Sequence, residues 1–250
     1  MIIKDLEFIL KKIIPEKYLL KKRIQRSIKK GYEKELDIID KFADKSKDAI
    51  DVGVYRGVYS YKLAQHFKFV HCFEANPLLY PFLNDNLKKI IKNINLYNLA
   101  LSSTNGKTTL KLPIRSKSFF NQNIEELYEL GAASVHPNNK FDNFKEVTVK
   151  KKKLDSIKLE NKIGFIKIDV EGHELEVIEG ALNTIKMNKP VLLIEIEERH
   201  SKRMVNESIK YIKNIGYNCY FEKNKELISV EKLKNINEEF NFFFLPNLTK

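Results

Sequence analysis

Cysteine is scarce in this sequence, which contains only Cys72 and Cys219 among its 250 residues. Neither residue has a C-x-x-C partner or the spacing of a metal-ligand pair, so a disulfide scaffold and a cysteine-based zinc site are both excluded. Both cysteines fall in segments that have the pattern of buried strands. We therefore expect a protein of the reducing cytoplasm.

Long apolar runs are also absent. No segment approaches the roughly 18 consecutive apolar residues that a membrane-spanning helix needs, and the N-terminus lacks the uninterrupted apolar core of a signal peptide. The sequence therefore predicts no membrane span. Its length suits one large α/β domain over residues 32–250, preceded by a helical arm over residues 1–31.

Acidic residues are too few to balance the bases, and the net charge is +12. The excess reflects either a lysine-rich composition bias or affinity for anionic partners such as nucleic acid, acidic glycans or a membrane surface. The excess positive charge is highest in residues 1–30, which contain ten Lys or Arg residues and three acidic residues. Apolar residues recur there at helical spacing, which predicts a basic amphipathic helix. Such a helix either lies on an anionic membrane surface or packs on its own domain.

A third glycine is missing from the turn that follows the first predicted strand. The dinucleotide pattern G-x-G-x-x-G would require glycine at Tyr55 and Val58, so a dehydrogenase is disfavoured. The spacing D-x-G-x-x-x-G, formed by Asp51, Gly53 and Gly57, suits S-adenosylmethionine (SAM), which has no pyrophosphate to bind. The alternative is an ordinary strand-to-helix turn that needs glycine only for its geometry.

The residues around this turn complete a nucleotide-binding βαβ unit. Asp51 ends a buried strand, a helix follows the glycines, and a second strand over residues 69–73 closes with Glu74. Glu74 lies 23 positions after Asp51, close to the roughly 20 expected of an acid that binds ribose hydroxyls. A third strand over residues 94–101 carries Asn98, which either hydrogen-bonds an adenine edge or caps a turn.

Residues 102–153 are the least regular part of the chain. Residues 108–112 and 147–151 alternate like strands, and polar and aromatic residues lie between them. A structureless stretch of this length is unusual inside a compact domain. We therefore expect an insertion with a function, such as a substrate lid.

A second motif, I-K-I-D-V-E-G-H-E, begins in a buried strand over residues 165–170. Strand alternation places Lys167, Asp169 and Glu171 on one side of it. The next strand, over residues 190–197, ends in Glu195 and Glu197, which either hold substrate hydroxyls or merely end the strand. Two aromatic strands, over residues 217–221 and 241–245, close the chain.

The order of these elements predicts the fold. Five strands that alternate with helices, followed by two more strands, predict a doubly wound, mostly parallel, seven-stranded sheet. Right-handed crossovers place the first and fourth strands side by side. Asp51 and Gly53 should then face Asp169, Glu171 and His173 across one crevice beyond the carboxyl ends of the strands.

Six motifs, taken together and in this order, resemble the FkbM-type methyltransferases: D-V-G-V-Y-R-G-V-Y-S, F-E-A-N-P, N-L-A-L, L-D-S-I, I-K-I-D-V-E-G-H-E and L-L-I-E-I-E. The resemblance covers roughly residues 35–200 and implies the Rossmann-like fold of class I methyltransferases. It also implies methyl transfer from SAM to a hydroxyl, often on a sugar, a glycan or a natural product. The residues that it implies for SAM binding are Asp51, Gly53, Gly57 and Glu74, with Asn98 near the base.

One position departs from the family pattern. Asparagine is usual at position 55 in that family, and this chain has Tyr55. Tyrosine adopts a left-handed backbone less readily than asparagine does. We therefore expect a different turn and an altered affinity for the cofactor.

The second motif supplies three candidate catalytic residues, Asp169, Glu171 and His173. An alcohol is a very weak acid, so its methylation needs a general base or a metal ion. His173 is the best base by type, because an ordinary pKa of about 6.5 leaves histidine mostly neutral at pH 7. Asp169 and Glu171 either orient it or bind Mg²⁺ through oxygen, and no other metal is predicted. The alternatives are a helix-dipole role for Glu171 and a surface position for His173.

Two other functions stay open at this point. A nucleic-acid methyltransferase would fit the charge, but amino-directed enzymes of that kind carry D/N-P-P-Y/F after the fourth strand. Residues 169–172 read D-V-E-G there, so nucleic acid is the less favoured partner. A module that binds a nucleotide or glycan without transfer is favoured only by Tyr55, and a measurement of SAM binding would distinguish it from an enzyme.

Overall fold

The computed structural model of the chain describes residues 14–114, 132–136, 143–197 and 205–247. Its strands are β1 (Asp48–Val52), β2 (Val70–Glu74), β3 (Ile94–Asn98), β4 (Ala100–Leu101), β5 (Gly106–Pro113), β6 (Phe144–Lys152), β7 (Ile163–Ile168), β8 (Val191–Glu195), β9 (Tyr217–Lys223), β10 (Glu226–Ser229) and β11 (Asn241–Pro246). Its α-helices are α1 (Glu16–Lys30), α2 (Leu36–Ile39), α3 (Val58–His66), α4 (Tyr80–Ile90), α5 (Glu174–Glu179), α6 (Leu182–Asn188) and α7 (Val205–Asn214).

The main sheet has the order β10-β9-β11-β8-β7-β1-β2-β3 in the described part of the chain. The strands from β8 to β3 run parallel, and the three strands β11, β9 and β10 pair antiparallel. The predicted α/β class and the predicted contact between β1 and β7 are both confirmed. The sheet has eight strands rather than seven. Sequence reasoning missed β10, which folds back on β9 through Asn224 and Lys225, two residues with positive φ.

Helices cover both faces of this sheet, and each face has its own apolar core. Strand β1 is buried along its whole length, as expected of a central parallel strand. Ile50 and Val52 belong to the core beneath α5, α6 and α7. Ala49 belongs to the core beneath α1, α3 and α4. The two free cysteines, Cys72 and Cys219, lie one in each core, which confirms that both are buried.

Helix α1 is the described part of the predicted basic arm, and residues 1–13 lie outside the described residues. It buries Leu20 and Ile24 in the same core as Leu83 and Leu87 of α4. Its lysines and arginines lie mainly on the opposite, exposed side. It ends at Gly31, whose left-handed backbone closes the helix. The apolar face of α1 therefore packs on the chain's own domain. No helix in the described ranges has both the length and the apolar character of a membrane span.

A second, three-stranded sheet of order β4-β6-β5 stands beside the main one. It confirms the strands predicted at residues 108–112 and 147–151. It also corrects the predicted strand over residues 94–101. That segment leaves the main sheet after Asn98, since the N–H of Leu99 donates to the carbonyl of Glu74 and β4 pairs with β6 instead. The middle of the predicted lid, residues 115–131 and 137–142, lies outside the described residues, so the lid stays a prediction.

Candidate functional site

A cavity opens beyond the carboxyl ends of β1, β2 and β7. One side is formed by Gly53, Tyr55 and Glu74, which belong to the first motif. Asp169, Glu171 and His173, from the second motif, form another part of its wall, and residues 99–101, 110, 133 and 135 complete its apolar lining. The structure therefore brings the two motifs together in one cavity.

Gly53 is the point where the two motifs touch. Its φ is +85°, and a Cβ at this position would lie 1.8 Å from the carbonyl oxygen of Asp169. The N–H of Asp169 donates in turn to the carbonyl oxygen of Val52 at 3.0 Å. Only glycine fits here, because any side chain would force the ends of β1 and β7 apart.

Glu74 connects the end of β2 with the glycine turn. Its carboxylate accepts hydrogen bonds from the N–H groups of Tyr55 (3.1 Å) and Asn76 (2.8 Å). Burial is the main cause that raises its pKa to about 7. Each carboxylate oxygen has a second lone pair, so Glu74 retains the capacity to accept ribose hydroxyls in the cavity.

Asp51 and Gly57 do not line the cavity. Asp51 accepts a hydrogen bond from Ser60 of α3, its other oxygen is buried without a hydrogen-bond partner among the described residues, and burial raises its pKa to about 6. Gly57 precedes α3 with φ +75°, and a Cβ there would come within 2.7 Å of the Leu87 side chain. Both residues therefore contact the protein interior next to the glycine turn and lie outside the cavity wall.

Asn98 also lies outside the cavity wall. Its side-chain amide donates to the carbonyl oxygens of Glu74 (2.9 Å) and Ala75 (3.3 Å). These bonds hold the bend at which the chain leaves the main sheet. The geometry therefore fits the turn-capping interpretation of Asn98, and a contact with adenine stays a prediction.

Tyr55 keeps the left-handed turn that asparagine would favour. Its φ is +47°, and the Arg56 guanidinium lies 4.9 Å from the centroid of its ring. The turn is held by the bond from its N–H to Glu74. The substitution at position 55 is thus accommodated without loss of the left-handed backbone, although such a backbone is strained for tyrosine.

The loop after β7 makes a sharp turn at Glu171 and Gly172, whose φ values are +55° and +98°. The Glu174 carboxylate accepts the N–H of Gly172 at 2.9 Å. The carbonyl oxygen of Glu171 accepts the hydroxyl of Ser134 at 2.6 Å. The second sheet, which Ser134 joins through a bridge to β5, therefore helps to hold this loop.

His173 immediately precedes helix α5, and its side chain is directed towards protein groups. Its Nε2 lies 3.0 Å from the Ser102 hydroxyl, and its Nδ1 lies 3.6 Å from the Glu176 carboxylate. Burial lowers its pKa to about 4, so the imidazole is neutral at pH 7. The surface position considered from the sequence is therefore wrong.

A buried ionic cluster adjoins the cavity through Asp169. Lys167 is only 1% exposed, with its Nζ 3.3 Å from the Asp169 carboxylate and 4.8 Å from the centroid of the Tyr59 ring. The hydroxyl of Tyr59 donates to Glu33 at 3.1 Å. Sequence reasoning missed Tyr59 and Glu33, because nothing in their local pattern points to Lys167. The one available signal was a lysine inside an apolar strand.

The described residues contain no group of three histidine, cysteine or acidic side chains arranged to hold a metal ion. The Mg²⁺ interpretation of Asp169 and Glu171 therefore has no support from the geometry.

A family model described as the methyltransferase FkbM domain matches residues 51–219. This chain belongs to the FkbM methyltransferase family. The match begins at Asp51 in β1, ends at Cys219 in β9 and contains every residue of the cavity wall. A comparison with curated proteins finds no match.

A solved structure supports this fold. A crystal structure of a methyltransferase FkbM from Methylobacillus flagellatus KT is 16% identical with a TM-score of 0.51, over 80% of this chain and 44% of that chain. The present FkbM chain therefore spans less than half the length of that protein. A TehB-like SAM-dependent methyltransferase from Corynebacterium glutamicum is 11% identical with a TM-score of 0.47, over 93% of this chain and 98% of that chain.

Glu74 gives the FkbM domain a specific pH dependence of stability. Its pKa is raised from 4.5 to about 7. Its contribution to the free energy of unfolding is therefore fully present below pH 4.5 and is lost as the pH rises through 7. Linkage makes this contribution about 3 kcal/mol. Between pH 5 and pH 8, the free energy of unfolding of wild type should fall by about 2.5 kcal/mol more than that of Glu74→Gln, as measured by urea unfolding. The exposed acid Glu226 provides the control. Glu226→Gln should show the same change in the free energy of unfolding between pH 5 and pH 8 as wild type. An unchanged difference in Glu74→Gln would show that Glu74 ionises normally.

Proposed function

We propose that this FkbM domain transfers a methyl group from SAM to a hydroxyl of a sugar, a glycan or a natural product. The observation that carries the proposal is one cavity with two chemically different sides. A glycine turn and a ribose-type acid, Gly53 and Glu74, form one side. Asp169, Glu171 and His173 lie together on the other.

The first side has the features that SAM needs. Gly53 lines the cavity and brings no side chain into it, so its backbone can come close to a ligand. Glu74 is buried at the end of β2, where an acid accepts the hydroxyl hydrogens of a ribose. SAM supplies the electrophilic methyl group, so the protein's task is to orient the acceptor and remove its proton.

The second side supplies the proton acceptor. Asp169 lines the cavity and is paired with the Lys167 ammonium at 3.3 Å. The Nε2 of His173 is hydrogen-bonded with the Ser102 hydroxyl, and its Nδ1 is buried, with no hydrogen-bond partner among the described residues. This arrangement favours Asp169 over His173 as the general base. Glu171, on the same wall, orients the acceptor through its hydroxyls.

Two features outside the cavity support a membrane surface as a partner and the cytoplasm as the location. The exposed side of α1 is basic, which suits binding to an anionic surface. We therefore propose an anionic membrane surface as a partner of residues 1–30. The buried, unpaired Cys72 and Cys219 suit the reducing cytoplasm.

Labelling tests this function directly. The protein is incubated with SAM that carries an isotopically labelled methyl group and with a panel of glycans, glycosides and hydroxylated natural products. Mass spectrometry of the products should locate the label on oxygen. Label on nitrogen, carbon or sulfur would contradict O-methylation, and label in RNA or DNA would favour the nucleic-acid alternative.

A further inference from the structure

Lys167 is a buried cation in the central strand β7. Strand pairing places it opposite Asp51 of β1 and Leu193 of β8, and it is only 1% exposed. Its Nζ has no hydrogen-bond partner among the described residues and lies 3.3 Å from the Asp169 carboxylate. A buried ammonium without hydrogen bonds is unfavourable, and an apolar side chain of the same length would avoid this cost. Stability alone therefore does not explain a lysine at this position.

Acidic groups keep this ammonium charged. Burial lowers the pKa of Lys167, but four carboxylates raise it above its ordinary value, those of Asp169, Glu195, Asp51 and Glu33. Of these four acids, Asp169 lines the cavity, and its side chain is 32% exposed. The ion pair therefore connects a buried ammonium with a carboxylate that an acceptor in the cavity can reach.

Tyr59 and Glu33 complete the cluster and do not line the cavity. The Nζ of Lys167 lies 4.8 Å from the centroid of the Tyr59 ring, within the range of a cation–π contact. Burial raises the pKa of Tyr59 well above its ordinary value, so its hydroxyl keeps its proton and donates to Glu33 at 3.1 Å. Glu33 lies between α1 and α2, outside the residues 51–219 that the family model matches. A segment N-terminal to the matched residues therefore belongs to a cluster that reaches the cavity.

We propose that Lys167 is a positioning residue for methyl transfer, which holds the Asp169 carboxylate in the orientation that receives the acceptor's proton. Tyr59 and Glu33 hold the lysine in turn. This inference rests on the proposed function, in which Asp169 is the general base. Lys167 does not line the cavity, so it acts through Asp169 rather than on the acceptor itself. Orientation is the physical basis, because a displacement of about 1 Å at a reacting group can lower a rate by about 10²-fold.

A double-mutant cycle on the rate tests this inference. Lys167→Met keeps the length of the side chain and removes its charge. It should lower the single-turnover rate by about 10²-fold, measured with labelled SAM and the compound of the panel that takes up the label. In an Asp169→Asn background the same substitution should change the rate by less than about twofold, because the carboxylate through which the lysine acts is already absent.

Two further measurements separate positioning from a merely structural role. The affinity for SAM, measured by calorimetry, should not fall in Lys167→Met, because the Gly53 and Glu74 side of the cavity is intact. Tyr59→Phe keeps the ring over the ammonium and removes the hydroxyl that donates to Glu33. It should lower the rate less than Lys167→Met does, and this loss should also disappear in the Asp169→Asn background.

Asp48→Asn provides a matched control for the loss of a buried charge. Asp48 is 1% exposed, and its carboxylate lies 3.0 Å from the Nε2 of His71, at the end of β1 opposite to the cavity. This variant should transfer the label at the wild-type rate. An unchanged rate in Lys167→Met, an equal loss in both backgrounds, or a parallel loss of SAM affinity would overturn this inference and leave the proposed function standing. Absence of transfer by wild type to any compound of the panel would overturn both.

Discussion

Replacing Gly53 with alanine is expected to lower the free energy of unfolding by roughly 3 kcal/mol and to abolish SAM binding. The φ of +85° is strained for any L-residue, and the new Cβ would lie 1.8 Å from the carbonyl oxygen of Asp169. Relief of this clash requires β1 and β7 to separate at the point where both motifs enter the cavity. Urea unfolding and calorimetry with SAM measure the two effects.

Gly216 provides a matched control for the backbone strain. Its φ is +99°, and an added Cβ would have no heavy atom within 4 Å. Gly216→Ala should therefore cost only about 1 kcal/mol and leave SAM affinity unchanged. If the two substitutions destabilised the protein equally, the close approach of Gly53 to Asp169 would have no energetic importance.

Asp169→Asn is expected to lower the rate of methyl transfer by about 10²- to 10⁴-fold, the usual contribution of a general base. The amide retains the size of the side chain but cannot accept the acceptor's proton. SAM affinity should change little, because the Gly53 and Glu74 side of the cavity is intact. Single-turnover transfer to the acceptor identified by labelling measures the rate, and calorimetry measures the affinity.

His173→Ala decides which residue is the base. Its Nε2 is hydrogen-bonded with Ser102 and its Nδ1 is buried, so we expect a loss of less than about tenfold, below the range typical of a general base. A larger loss in His173→Ala than in Asp169→Asn would return the role of base to the histidine. Glu171→Gln should mainly raise KM, since a residue that orients the acceptor affects its binding.

The sequence by itself determined the class of fold and the two motifs that meet. The period of the apolar residues distinguishes the strands from the helices, and glycine marks the tight turn after β1. The right-handed crossover rule then places β1 beside β7, which the observed pairing of Asp51 with Lys167 confirms. These inferences succeed because each depends on local geometry or on a rule that nearly all parallel sheets obey.

Only the tertiary structure decided how each polar residue of the site behaves. In the structure Asn98 donates to the carbonyl oxygen of Glu74, burial lowers the pKa of His173, and the buried Lys167 pairs with Asp169. The physical reason is that burial and charge at one residue depend on groups contributed by distant parts of the chain. The spacing of residues along the sequence does not show how deeply each side chain is buried.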